Sequence, residues 1–124
     1  MKVEKFRMYF NLMERWLTLH EEGRRIPQIL NERGFSTIAL YGLGKIGKHV
    51  VCEVEDSGIE ILYAIDRSMA GFYGKIPVKK FEENLPEVDA IIVTAVYDFD
   101  AIEKMLAERV KYPVISLEEI LYEG

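Results

Sequence analysis

Ile38-Ala39-Leu40-Tyr41-Gly42-Leu43-Gly44-Lys45-Ile46-Gly47 is the stretch whose reading decides the fold: a short apolar run that breaks on three glycines spaced G-x-G-x-x-G. The run has the composition of a strand buried on both faces. Beyond the glycines, Ile46, Val50, Val51 and Val54 recur at helical spacing as far as Ser57-Gly58. A strand therefore feeds a helix through a glycine turn. In such a turn Gly42 permits the tight reversal, Gly44 leaves the backbone open to close approach, and Gly47 lets the helix pack against the strand.

Outward from this unit the pattern repeats. Residues 59–65 form a second apolar run, Ala90-Ile91-Ile92-Val93 a third strong one, and Val114-Ile115 a short last one. Ile76-Pro77-Val78 reads as an edge strand, because proline cannot donate to a central ladder. Helices between the runs, opened by Asp100 with Glu103 and by Ser116 with Glu119, imply right-handed crossovers and a parallel sheet in the order 3-2-1-4-5. The fold class expected is α/β, a Rossmann-like three-layer domain over residues 35–124. The segment 68–74, with two glycines and Tyr73, reads as connection rather than as a lid.

The glycine turn is also the candidate site. Unpaired backbone N–H groups and the positive end of the helix dipole favour an anion at Gly42, Gly44, Lys45, Ile46 and Gly47, and the Lys45 side chain adds a mobile positive charge. Nineteen residues past Gly47, at the end of the second apolar run, stands Asp66. A carboxylate there accepts hydrogen bonds from ribose hydroxyls and disfavours a 2′-phosphate, a discrimination that the adjacent Arg67 weakens. After the third run, Thr94 is placed to bond ribose or phosphate. Tyr97 or Phe99 is placed to stack on a ring or, equally, to staple the next helix. The expected ligand is a small-molecule nucleotide, NAD or a nucleoside-diphosphate sugar, since each presents a pyrophosphate to the same turn. The competing reading keeps the glycines for packing alone and binds nothing.

Residues 1–34 precede the first strand and read as a helical extension. Phe6, Phe10, Met13 and Leu17 fall in one helical row, with Tyr9, Leu12, Trp16 and Leu19 in a second row beside it. A helix with two adjoining apolar rows touches its own domain and a further surface, or else wraps its core twice over; the first case implies a homodimer or docking to another protein. Gly23 ends this helix, Pro27 opens a shorter one, and Gly34 closes that with Phe35 folding back on it.

Composition limits the rest. With 124 residues there is room for one core, so a cofactor domain and a full substrate domain do not both fit. The single cysteine, Cys52, excludes an internal disulfide and reads as an inert thiol, and the two histidines are too far apart for metal-ligand spacing, so no metal is expected. A net charge of −5 without a basic stripe argues against nucleic acid. The lack of a long apolar run or charged leader leads us to expect a cytoplasmic protein without membrane insertion. Catalytic machinery is not evident. His49 and His20 lie in no triad-like order, His20 reads as complementing a helix dipole, and a Tyr-x-x-x-Lys relay is missing. Whether the chain is an enzyme is left open.

Trp16, the stretch Leu40-Tyr41-Gly42-Leu43-Gly44-Lys45-Ile46-Gly47, Tyr63-Ala64-Ile65-Asp66-Arg67 and Val88-Asp89-Ala90-Ile91-Ile92-Val93-Thr94-Ala95 together resemble the small Rossmann-like domains found alone or fused to glycosyltransferases in bacterial capsular and surface polysaccharide clusters. That resemblance implies nucleotide or nucleotide-sugar binding at Gly42, Gly44, Gly47 and Asp66. These 124 residues hold no transferase, so the expectation is an accessory role, with docking to a glycosyltransferase through the first helix. A second resemblance is to the NAD- or adenine-nucleotide-sensing domains that regulate potassium conductance, although those lack the aromatic helix ahead of the first strand. A third reading is a subunit of an NAD-dependent oxidoreductase whose catalytic residue comes from elsewhere.

Overall fold

A computed structural model describes residues 2–123; the first residue of the 1–34 segment and the last of the 35–124 segment lie outside the described residues. In chain order the elements are α1 (Val3–Glu21), α2 (Ile26–Glu32), β1 (Thr37–Tyr41), α3 (Lys45–Val54), β2 (Glu60–Ile65), β3 (Gly71–Tyr73) and β4 (Ile76–Lys79). They continue with β5 (Ala90–Val93), a 3₁₀ turn (Val96–Asp98), α4 (Phe99–Ala107), β6 (Val114–Ser116) and α5 (Leu117–Glu123). Among the described residues no helix is long and apolar enough to cross a membrane.

The six strands form one mostly parallel sheet in the order β3-β4-β2-β1-β5-β6. Central β1 pairs in parallel with β2, from Thr37 opposite Glu60 to Tyr41 opposite Ile65, and with β5, from Ile38 opposite Ala90 to Tyr41 opposite Val93. This order differs from the expected 3-2-1-4-5, because the segment taken as connection contains β3. That strand runs antiparallel along β4, with Phe72 opposite Pro77, and forms the edge. Pro77 is accordingly not on an edge strand. Parallel pairing of β4 with β2 involves only Ala64 with Val78 and Ile65 with Lys79, beyond the proline, so its missing N–H costs no ladder bond there.

Alternation along β1 divides the core in two. Ile38 and Leu40 face a cluster with Leu12, Trp16 and Leu19 of α1, Ile29 and Leu30 of α2, Val50 and Val54 of α3, and Ile120 of α5. Ala39 and Tyr41 face the other side, where Ile102 and Leu106 of α4 pack with Tyr63, Ile91 and Val93. The two leading helices thus share the first cluster with the sheet. The second face is thinner, because residues 80–89, which join β4 to β5, are not helical. Their carbonyls are met by side chains instead: Tyr63 Oη donates to Pro86 O at 2.9 Å, and the Arg109 guanidinium reaches Phe81 O and Glu83 O. Burial, with Tyr112 beside it, drives the Tyr63 phenol far above its ordinary pKa, fixing it as a neutral donor.

Local chemistry accounts for the helix ends. Gly23 and Gly34 sit at φ of 80° and 81°, and Arg24 N–H to Leu19 O (2.8 Å) and Phe35 N–H to Leu30 O (3.0 Å) close each helix by the glycine-terminated pattern. Ser116 Oγ accepts the Glu118 N–H at 3.1 Å and so starts α5. The expected cap at Asp100 is displaced: α4 begins at Phe99 after Asp98, whose side chain makes no capping bond, because the 3₁₀ turn runs directly into the helix.

Candidate functional site

The glycine turn leaves β1 at the carboxyl edge of the sheet and enters α3 with Gly44 as the residue before its first turn. The intrahelical ladder starts with Lys48 N–H bonding Gly44 O at 3.0 Å, so the N–H groups of Lys45, Ile46 and Gly47 fall ahead of it.

The three glycines have different reasons to be glycine. Gly42 is at φ 106°, and a Cβ there would lie 2.6 Å from Thr94 Oγ1; at Gly47 a Cβ would lie 2.2 Å from Gly42 O. Both are required by the fold. Gly44 is at φ −74° and ψ −159°, ordinary extended backbone, and a Cβ built on it meets nothing within 4 Å. The packing of the chain makes no demand for glycine at this position.

Two polar side chains fasten the turn. Buried Thr94 donates its hydroxyl toward Tyr41 O (3.1 Å) and Gly42 O (2.9 Å), tying the turn to the end of β5. Asp66 stands behind it, with Oδ2 accepting the Leu43 N–H at 2.7 Å and Oδ1 accepting the Ser68 N–H at 2.7 Å. Burial opposes its ionisation, but the N–H groups of Leu43, Ser68 and Met69 outweigh that and hold the carboxyl below the usual range. Asp66 is thus a charged bracket between the turn and the segment after β2.

Gly42, Gly44, Lys45, Ile46, Gly47 and Thr94 line one cleft of about 560 Å³. Its opposite wall is Phe6, Tyr9, Phe10 and Met13 of α1. The leading helix therefore lies across the carboxyl edge of the sheet, where ligands of open α/β sheets bind. Tyr9 also occupies a second helical start. Burial pushes its phenol up, while the backbone N–H groups of Tyr97 and Val96, at the beginning of the 3₁₀ turn, bond its oxygen.

The remaining predicted residues are not gathered into the cleft. Exposed Arg67 lies on the segment after β2, and its carbonyl accepts from Lys80 Nζ at 2.7 Å. Tyr97 sits on the 3₁₀ turn with Lys5 Nζ 5.7 Å from its ring centre. Phe99 packs against the second core cluster, the stapling alternative of the sequence reading.

A second cleft of about 640 Å³ opens along the other half of α1, lined by Met13, Trp16, Leu17 and His20 on one side and by His49, Cys52 and Glu53 of α3 on the other. Glu53 is its organising group. Its carboxylate accepts Trp16 Nε1–H at 3.0 Å and Ile26 N–H at 2.7 Å and bonds His20 Nε2, so one side chain fastens α1 and α2 to α3. His20 thus has a specific partner as well as its place in the last turn of α1. Sequence reading missed this cluster, because Glu53 is 33 residues from His20 and carries no local motif. The only local sign was a lone indole in an apolar row, which needs an acceptor once buried.

Among the described residues, no group of three His, Cys, Asp or Glu side chains is placed to hold a metal ion. No family model, curated protein or solved structure matches the chain.

Proposed function

We propose that this chain is a Rossmann-like nucleotide-binding domain whose glycine turn receives the pyrophosphate of NAD or of a nucleoside-diphosphate sugar, in an accessory role in surface-polysaccharide or nucleotide-sugar metabolism. The observation that carries the reading is Gly44: neither its φ nor its surroundings require glycine. A residue kept free of a Cβ in open space, just ahead of helical N–H groups, suits close approach of a phosphate to the backbone. Gly42 and Gly47 do not discriminate in this way, because packing alone accounts for them.

On this reading Lys45 supplies the mobile charge, and the N–H groups of Lys45, Ile46 and Gly47 are the donors. Thr94 and Asp66 hold the turn in shape, and a ribose hydroxyl takes the place of the Ser68 or Met69 donor on the Asp66 carboxylate. The aromatic row of α1 gives the ligand's ring an apolar wall. No catalytic residue is assigned.

Thermal-shift measurements against NAD(H), NADP(H), ADP, ATP and UDP-sugars test the proposal. Saturable stabilisation by a UDP-sugar alone supports the polysaccharide role, and stabilisation by adenine nucleotides alone moves the reading to a nucleotide sensor. No stabilisation by any of them removes nucleotide binding.

A further inference from the structure

Helix α1 carries an apolar row that its own domain leaves uncovered. Val3, Phe6, Phe10 and Leu17 are 62–67% exposed and Met13 is 40% exposed. Their spacing alternates three and four residues throughout, which is the seam of a two-helix coiled contact rather than the broader face of a helix lying on a core. The seam borders both clefts described above, which share Met13 and both lie between α1 and α3.

We infer that this seam is covered by α1 of a second copy of this chain, running antiparallel about a two-fold axis. The seam is self-complementary in that direction. One axis centred between Asn11 and Leu12 sets Phe10 against Met13 of the second copy and Phe6 against its Leu17, a large ring against a flexible or branched aliphatic chain in each of these four layers, with Val3 at the end opposite His20. Charge selects the same direction. Exposed Arg7 and Glu14 both flank the seam on the side away from the core, and the antiparallel arrangement brings Arg7 beside Glu14 of the second copy, twice over by symmetry. A parallel pairing would instead bring Arg7 beside Lys2 of the other copy, like charge against like. The eight paired seam side chains expose on the order of 100 Å² each, so two copies bury roughly 800 Å² before Val3, which falls opposite His20, and the walls of α3 are counted, against a lower bound of roughly 1,000 Å² for a specific interface.

The seam shares Phe6, Phe10 and Met13 with the wall of the glycine cleft, so association is measured on the ligand-free chain, and its failure leaves nucleotide binding at Gly44 untouched. Sedimentation equilibrium of the full chain, from about 10 to 500 µM, is expected to show a monomer–dimer equilibrium, as suits an interface of this size. Phe10→Glu is expected to give a monomer with unchanged circular dichroism and with the thermal melt that the parent shows at concentrations where it too is monomeric. Arg7→Glu is expected to weaken the dimer by about tenfold, and the double variant Arg7→Glu/Glu14→Arg to restore it. A wild-type monomer across the whole range overturns the inference. So does a dimer indifferent to Phe10→Glu, or one strengthened by Arg7→Glu, which is the parallel result.

Discussion

Replacing each glycine of the turn by alanine separates the demands of the fold from those of a ligand. At Gly47 the new Cβ falls 2.2 Å from Gly42 O, a backbone atom that Thr94 also holds. Restoring van der Waals contact requires α3 to move off β1 by more than 1 Å, at a cost of roughly 3 kcal/mol or more. At Gly44 the Cβ meets nothing, and an ordinary φ means no backbone strain. The lower unfolded-state entropy of alanine then offsets its poorer capping, leaving a net change within about 1 kcal/mol. Urea and thermal unfolding of the ligand-free protein read both values. With roughly 3–6 °C per kcal/mol for a chain of this size, Gly47→Ala should melt at least ~10 °C lower and Gly44→Ala within ~5 °C of the parent. Equal destabilisation by the two substitutions would refute the assignment of different roles to the two glycines.

Three further outcomes follow from the polar fastenings. Glu53→Ala strands the Trp16 indole N–H and the Ile26 N–H, and should cost about 2–4 kcal/mol in urea unfolding. Thr94→Val keeps the shape but removes the hydroxyl from the Tyr41 and Gly42 carbonyls, for a loss of about 1–2 kcal/mol. Asp66 and Asp89 both have folded pKa values below their ordinary 3.8: Asp66 despite burial, through backbone N–H groups, and Asp89 through the N–H groups of Ser36 and Thr37. Groups depressed in this way contribute stability that is present above pH 3.8 and lost as pH falls through the folded values. Unfolding free energy should therefore decline on acidification below about 3.8, and Asp66→Asn, already less stable at pH 7, should show a shallower acid limb. An acid limb of unchanged slope in that variant would contradict the bracket.

The parts of this structure that are legible in the sequence are those set by local chemistry. A strand, a G-x-G-x-x-G turn and an amphipathic helix follow from residues 38–54 alone, and Gly34 with Phe35 closes α2 as its spacing predicts. The two rows of α1 also separate as neighbouring faces should: Leu12, Trp16 and Leu19 are buried, while Phe6, Phe10 and Leu17 are exposed. What the sequence did not disclose depends on partners far along the chain. Strand β3 exists because Phe72 finds Pro77 across a turn at Gly74, a pairing with little apolar signal of its own. Glu53 and Asp66 take their roles from N–H groups that tertiary packing delivers to them, and no periodicity records that. The wall that α1 provides for the glycine cleft likewise follows from the docking of the helix and not from its pattern.

The central claim, that the turn at Gly44 holds a nucleotide pyrophosphate, is tested most directly by ligand-induced stabilisation in the parent chain and in Gly44→Val. The account predicts saturable stabilisation of the parent by a diphosphate-bearing nucleotide, about 2.7 kcal/mol at a concentration 100 times Kd. It predicts none in Gly44→Val, whose ligand-free stability stays close to that of the parent. Stabilisation of equal size in both proteins, or in neither, would contradict it.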